Sequence, residues 1–293
     1  MMTADLSERV DLTLELRVAC SVYREEFDRS AVVAWQVPGM VTLLADGPLR
    51  LTVAVPWGAI AVAGPPQDVI ELTRMEEPGK RVRLTVAEAA AGGGPSWAGT
   101  GLRAARAGAT LLTSTDLPEG TGLGAAAATE TAIRLCLADA AAPGRHDAGP
   151  HAMAGGRRLR FDLHAAGLRL VIIDTRLRDA PPQEPVEHAP VQAAAEAIDA
   201  GALTALGPML TAVHESLPRD PVRQIAVSAA LRAGALGARM ITDGPGRPVC
   251  ALVPVGRMAG LRAAVAAEFA RRRLRAPRFL TFTPADGPRC VRT

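Results

Sequence analysis

Thr110-Leu111-Leu112-Thr113-Ser114-Thr115, then Asp116-Leu117-Pro118-Glu119-Gly120-Thr121-Gly122-Leu123-Gly124, then Ala125-Ala126-Ala127-Ala128-Thr129-Glu130 is the stretch on which the rest of this chain turns. The first six residues are apolar and β-branched, the pattern of a strand. Pro118, Gly120, Gly122 and Gly124 fall within seven residues and mark a loop whose backbone needs conformations that side chains would deny it. From Ala125 the residues are mostly strong helix formers, with no Gly or Pro before Pro143. Strand, glycine loop and helix start together aim unpaired backbone N–H groups at one spot, beside the positive end of a helix dipole. Such a spot takes phosphate readily. A purely structural loop is the other reading of the same composition.

Two nucleotide loops fail to match. The P-loop needs Lys-Ser or Lys-Thr after its second glycine, and Gly124 is followed by alanines. The dinucleotide fingerprint wants G-x-G-x-x-G after a first strand, whereas here the spacing is G-x-G-x-G and lies deep in the chain.

The bulk properties set bounds. At 293 residues there is room for one large domain or two medium ones. Apolar residues make up 48% and the net charge is +3, so a sizeable core is available and no strong electrostatic partner is indicated. Arg271-Arg272-Arg273 close a predicted helix, where cations complement the dipole, and nucleic-acid binding is not expected. Cys20, Cys136, Cys250 and Cys290 are far apart and form no C-x-x-C pair, which suggests reduced thiols and a cytoplasmic protein. No apolar stretch is long enough for a bilayer, and the acidic first segment is not a leader. No internal repeat is visible.

Along the chain, Leu12, Leu14, Leu16 and Val18 alternate with polar residues and predict a strand over 11–19. Short strands are expected over 31–37 and 40–44, broken by Pro38-Gly39, and then at 49–55, 59–63, 69–73 and 81–86. Residues 96–107 read as helix. Residues 159–163 and 168–173 read as a hairpin about Ala165-Ala166-Gly167. A proline-rich stretch predicts a linker at 181–189. Helices follow at 191–206, 207–217 and 221–233, with strands at 238–241 and 249–253, a helix at 258–274 and a strand at 278–283. The expected fold is α+β in two domains: 1–180 with a mixed sheet and helices, and 190–293 with helices over a small antiparallel sheet.

The glycine stretch resembles the second motif of the GHMP kinases, and among them galactokinase: Pro118, Gly122, Leu123, Ala127 and Glu130 match, while Gly124-Ala125-Ala126 replaces a serine triplet. His214-Glu215-Ser216-Leu217 is similar to a second stretch of that family. Gly234-Ala235-Leu236-Gly237-Ala238-Arg239-Met240 is similar to the opening of the third motif, whose glycine turn keeps Gly244 and Gly246. Val37-Pro38-Gly39 to Leu44 follows the first half of the first motif, but Met40 stands where the family has the arginine that assists phosphoryl transfer. The sugar-reading residues after it are mostly gone, with Asp46 the one candidate.

The resemblance implies ATP bound at Pro118, Gly120, Gly122, Leu123, Gly124, Ala125 and Ala126, with the Gly244–Gly246 turn nearby. It also implies Mg²⁺ on Glu130 and a sugar or small alcohol as acceptor. Compensation of the helix dipole is the other reading of Glu130. The family's catalytic aspartate has no counterpart at 149–155, and Asp174 matches an aspartate that is not the base. Asp147, His151 and Asp162 are the remaining candidates for a base, each also readable as a loop or strand residue, and His214 reads as a packing partner. Three functions are therefore open: galactokinase-like phosphotransfer, a catalytically defective homologue (a pseudokinase) that binds nucleotide or a small ligand without turnover, and a structural protein that kept only the fold. Oligomeric state and protein partners are not legible.

Overall fold

Residues 33–67 form the backbone of the molecule because their apolar positions serve two faces at once. In the computed structural model, which describes residues 5–141, 152–178 and 187–293, they form two long antiparallel strands, β1 (Val33–Asp46) and β2 (Leu49–Gln67). Val33, Trp35, Val37, Ala59, Ala61 and Ala63 face one core, while Ala34, Ile60 and Val62 face another. Side chains that alternate across a strand bury both sides of a sheet only when both sides are covered.

The sheet is completed by β3 (Val69–Arg74), β4 (Val82–Thr85), β5 (Gly108–Thr115), β6 (Ala152–Ala154), β7 (Arg157–Leu159) and β12 (Arg289–Arg292). The order is β12-β1-β2-β5-β3-β4, with β6 and β7 paired beside β2 and a parallel pairing between β3 and β5. A short helix α2 (Val86–Ala90) follows β4, capped by a reciprocal Thr85–Glu88 box. Helix α3 (Ala125–Ala141) lies on the β1/β2 face, and its small residues let it come close. The Cys136 thiol reaches the carbonyls of Ala61 and Val33 at 3.4 and 3.8 Å.

A second sheet, β11-β8-β10-β9, is antiparallel throughout and uses β8 (Leu168–Asp174), β9 (Gly237–Met240), β10 (Val249–Pro254) and β11 (Arg278–Phe282). One face carries α6 (Pro221–Arg232) and α7 (Met258–Arg271); Leu170, Ile172, Cys250 and Leu252 on the other join the main core. Helices α4 (Val191–Asp199) and α5 (Leu206–Ser216) complete this half. The sheets interleave in sequence, because β8 serves the second and β12 the first. The α+β architecture, with a mixed sheet and a smaller antiparallel one under helices, is as the sequence predicts.

Several local expectations differ. Residues 11–19 do not form a strand but lead into α1 (Leu14–Phe27), whose N-terminus is capped by the Thr13 side chain. Leu16, Ala19, Cys20, Tyr23 and Phe27 are buried at helical spacing, whereas Leu14 and Val18 are 67% and 39% exposed. Four alternating residues conceal a 3.6-residue period that shows only over the full 14. Pro38-Gly39 does not end β1; an irregularity between Pro38 and Met40 absorbs it. The hairpin expected at 159–173 does not form, since β7 pairs with β6, and β8 with β10 and β11. Residues 96–107 form only the 3₁₀ turns Ser96–Ala98 and Gly101–Ala104. Asp147, His151 and most of the 181–189 linker lie outside the described residues.

Candidate functional site

The glycine loop follows β5 and precedes α3, as its sequence predicts. Gly120, Gly122 and Gly124 have φ of +67°, +69° and +73°, the left-handed region in which a Cβ is costly. The first bond of α3 runs from the Ala128 N–H to the Gly124 carbonyl at 2.8 Å. The N–H groups of Ala125, Ala126 and Ala127 precede it and so have no helical acceptor.

The loop meets two other segments backbone to backbone. On the β1 side, the Met40 N–H donates to the Leu123 carbonyl at 3.0 Å. On the other side lies the turn after β9: a Cβ on Gly122 would sit 2.4 Å from the Asp243 carbonyl oxygen, and one on Gly246 only 1.8 Å from that of Gly120. Three stretches far apart in sequence thus converge: 37–42, 117–126 and 242–246.

That turn is held by buried charge. The Arg239 guanidinium, fully buried, donates to the Glu187 carboxylate at 2.8 and 2.5 Å and to the Leu43 carbonyl at 2.8 Å. The Thr242 hydroxyl donates to Glu187 at 2.6 Å. Buried Arg223 donates to the carbonyls of Gly246 and Arg247, each at 2.9 Å. His214 sits behind β9 as a packing partner: its Nδ1 accepts from the Met240 N–H at 3.3 Å and its Nε2–H donates to Gln224 at 2.9 Å. Burial lowers its pKa, in keeping with a neutral ring.

Asp174, at the end of β8, is buried. It accepts from Arg178 at 3.0 and 3.2 Å, from Arg278 at 2.7 and 3.2 Å, and from the Arg176 N–H at 2.8 Å. Burial alone would raise its carboxyl, but the bonds from Arg178, Arg278 and Arg176 overcome this and hold it at about 2. Fully engaged by cations, Asp174 is no proton acceptor. It positions Arg178, which also reaches the Glu119 carbonyl at 3.4 Å and lies against Gly120.

A cavity opens on each side of the loop, and Gly120, Ala125 and Ala126 line both. The one of about 260 Å³ has Trp97 and Arg74 in its far wall, with the guanidinium 5.6 Å above the indole ring. The one of about 500 Å³ runs between Met40, Thr42 and Arg50 of the β1/β2 pair, residues 120–127, and Asp243 to Pro245. Pro118, Gly122, Leu123, Gly124 and Gly244 also line it; Gly246 lies behind, against Gly120.

Other sequence candidates are not brought into this arrangement. Glu130 accepts a bond from the Thr100 hydroxyl at 2.7 Å and packs on Gly99; it lines neither cavity. Asp46 is exposed beside His188, 3.3 Å away. Asp162 is exposed and accepts from the Ala165 N–H, closing a turn. Among the described residues no group of three or more His, Cys, Asp or Glu could hold a metal. The sequence reading missed Arg74, Trp97, Thr42, Arg50 and Asp243. A lone tryptophan and an arginine after a turn carry no local signal, although Asp243 lies in a stretch that the third-motif resemblance singles out.

No protein-family profile matches the chain. Among solved structures, Lactococcus lactis galactokinase complexed with galactose aligns over 94% of this chain and 99% of its own, with a TM-score of 0.75 at 16% identity. Methanococcus jannaschii mevalonate kinase aligns over 87% and 98%, with a TM-score of 0.61 at 15% identity.

The fold is that of the GHMP kinases.

Within that fold the chain is galactokinase-like in sequence. Streptomyces coelicolor galactokinase is 26% identical over 374 aligned positions, covering 91% of this chain and 96% of that protein. The alignment is longer than the 293 residues here, so the relative carries segments that this GHMP-fold chain lacks. The comparisons lend no support to the alternative of a catalytically defective homologue. No helix among the described residues is long and apolar enough to cross a membrane.

Proposed function

We propose that this protein is an ATP-dependent phosphotransferase acting on a hydroxyl of a sugar or small alcohol. The observation that carries the reading is the placement of the glycine loop as a partition between two cavities. Phosphoryl transfer needs two substrates held in line with a charged phosphate between them, and little covalent work from the protein. The loop offers the N–H groups of residues 125–127 and the start of α3 to the phosphates. Trp97 offers the smaller cavity an aromatic face for a base, and the larger cavity takes the acceptor. The lobes we assign to this cleft are 1–180 and 190–293, with β8 and β12 each crossing into the other's sheet. Free thiols at all four cysteines favour a cytoplasmic setting.

Magnesium would neutralise phosphate charge in such a reaction. With Glu130 bound to Thr100 and no cluster of ligands among the described residues, the residues present build no protein cage for it. A magnesium ion carried on the nucleotide's own oxygens, with several waters, needs none.

Calorimetry with ATP and magnesium, followed by ATP consumption over a panel of sugars and small alcohols, tests the reading. Saturable binding and turnover with at least one acceptor are expected. Absence of both at high protein concentration would overturn it.

A further inference from the structure

The glycine loop supplies a phosphate cradle but no side-chain cation, and Met40 leaves the adjoining strand without a cation at that position. Among the described residues the larger cavity is nevertheless lined by one cation and one carboxylate, both outside the positions that the first two motifs predict. Arg50 enters it from β2, where it pairs with Ala45 of β1, while Met40, farther along β1, pairs with Ala54. Asp243 enters it from the turn after β9, in the wall opposite β2. The two meet at 3.2 Å (Nη1 to Oδ1), bridging 193 residues of sequence. Both are partly accessible, with side-chain exposures of 45% and 27%.

From this placement we infer that Arg50 is the cation that contacts the transferred phosphoryl group and Asp243 the group that accepts the proton of the attacking hydroxyl. The inference rests on the proposed phosphotransfer. The contact with Asp243 uses one of the N–H donors of the guanidinium, which leaves others for phosphate oxygens. Asp174, the buried carboxylate that braces the loop through Arg178, is saturated by arginines and unavailable as an acceptor, whereas Asp243 pairs with a cation that phosphate would compete for. In the reaction the acceptor oxygen bonds to the terminal phosphorus while the bond from that phosphorus to the bridging oxygen breaks. The electron pair leaves with the nucleoside diphosphate, and the hydroxyl proton passes to Asp243.

The test measures nucleotide affinity by calorimetry and kcat against pH for the full-length protein and for Arg50→Gln, Arg50→Lys and Asp243→Asn, with transfer to water counted as turnover. Arg50→Gln should lower kcat on the order of 10²-fold and Arg50→Lys should recover part of it, because charge stabilisation at the phosphate is lost in one and kept in the other. Asp243→Asn should lower kcat by roughly 10²-fold or more and remove the acidic limb of the pH profile, while nucleotide affinity stays within about threefold. Melting curves accompany each variant; a shifted Tm with unchanged kcat per folded molecule makes the pair structural and overturns the inference. Full activity in Arg50→Gln and Asp243→Asn, with an active parent protein, overturns the inference and leaves phosphotransfer standing. A parent that binds no nucleotide sinks both. A parent that binds nucleotide but transfers to no acceptor, water included, removes Asp243's role, and the Arg50 role then falls unless Arg50→Gln weakens nucleotide binding at least tenfold.

Discussion

The two segments that meet backbone to backbone along the larger cavity, each forming part of its wall, are built on opposite principles. The turn at 242–247 is anchored from behind by buried guanidinium groups, Arg239 on Glu187 and Arg223 on the carbonyls of residues 246 and 247. The loop at 118–124 takes its shape from left-handed glycines and backbone contacts, braced by Arg178 at residues 119 and 120. Buried ion pairs need every partner and tolerate no partial loss. Glycine turns need only the absence of a Cβ. The first wall is therefore sensitive to charge removal and the second to side-chain addition.

The largest expected effect breaks the anchored wall. Arg239→Met leaves Glu187 buried without its cation and should cost about 3–5 kcal/mol, read as a fall in the urea midpoint. Pairing it with Glu187→Leu should restore a good part of that loss, since two apolar groups strand no charge.

In the glycine-built segment, Gly122→Ala places a Cβ 2.4 Å from the Asp243 carbonyl oxygen on a residue at φ +69°. A cost of about 1–3 kcal/mol is expected from the backbone conformation alone. The distinguishing readout is nucleotide affinity, which should fall further than stability does, because the loop must shift to relieve the contact. Equal losses in both would mean that the two walls are alike.

Asp174 links the walls through Arg178 and gives the contrast a pH signature. Its folded pKa of about 2 lies below the ordinary value of 3.8, so the unfolded chain takes up the proton first as pH falls. The stabilisation, about 2 kcal/mol, is complete above the ordinary value and is lost between there and about pH 2. Urea midpoints from pH 5 to 2 should show that drop in the parent protein, whereas Asp174→Asn should start lower and lack this component.

The smallest effect concerns Glu130. Glu130→Gln keeps a partner for the Thr100 hydroxyl and should change stability by less than about 1 kcal/mol. It should also leave the magnesium dependence of nucleotide binding unaltered; a tenfold or greater weakening would show that this carboxylate turns toward the metal.

What could be read from residues alone follows the same division. The loop was legible because Gly120, Gly122 and Gly124 alternate so closely that neither a helix nor a strand could hold them, and because the helix after it begins in an uninterrupted alanine run. The Gly234–Met240 stretch was legible as a resemblance, and the structure supplies its physical content: Arg239 is there for Glu187. Helix α1 was misread because its first apolar residues, Leu12 to Val18, happen to alternate. Arg50 and Asp243 escaped notice because their meeting is tertiary: no periodicity relates residues 193 apart. The hairpin misread at 159–173 has the same origin, in that β8 finds both of its partners in the far half of the chain.

That exchange of strands bears on how the molecule assembles. The edge of β1 is sealed by β12, with Val33 opposite Arg292 and Trp35 opposite Cys290, and Arg292 closes onto Asp139 of α3. During synthesis the earlier sheet must therefore wait, with one border unprotected, until residue 292 has left the ribosome. A chain of such high contact order folds slowly and leaves an adhesive strand exposed meanwhile. Until β12 arrives, the open border of β1 is a place where another chain could pair in its stead.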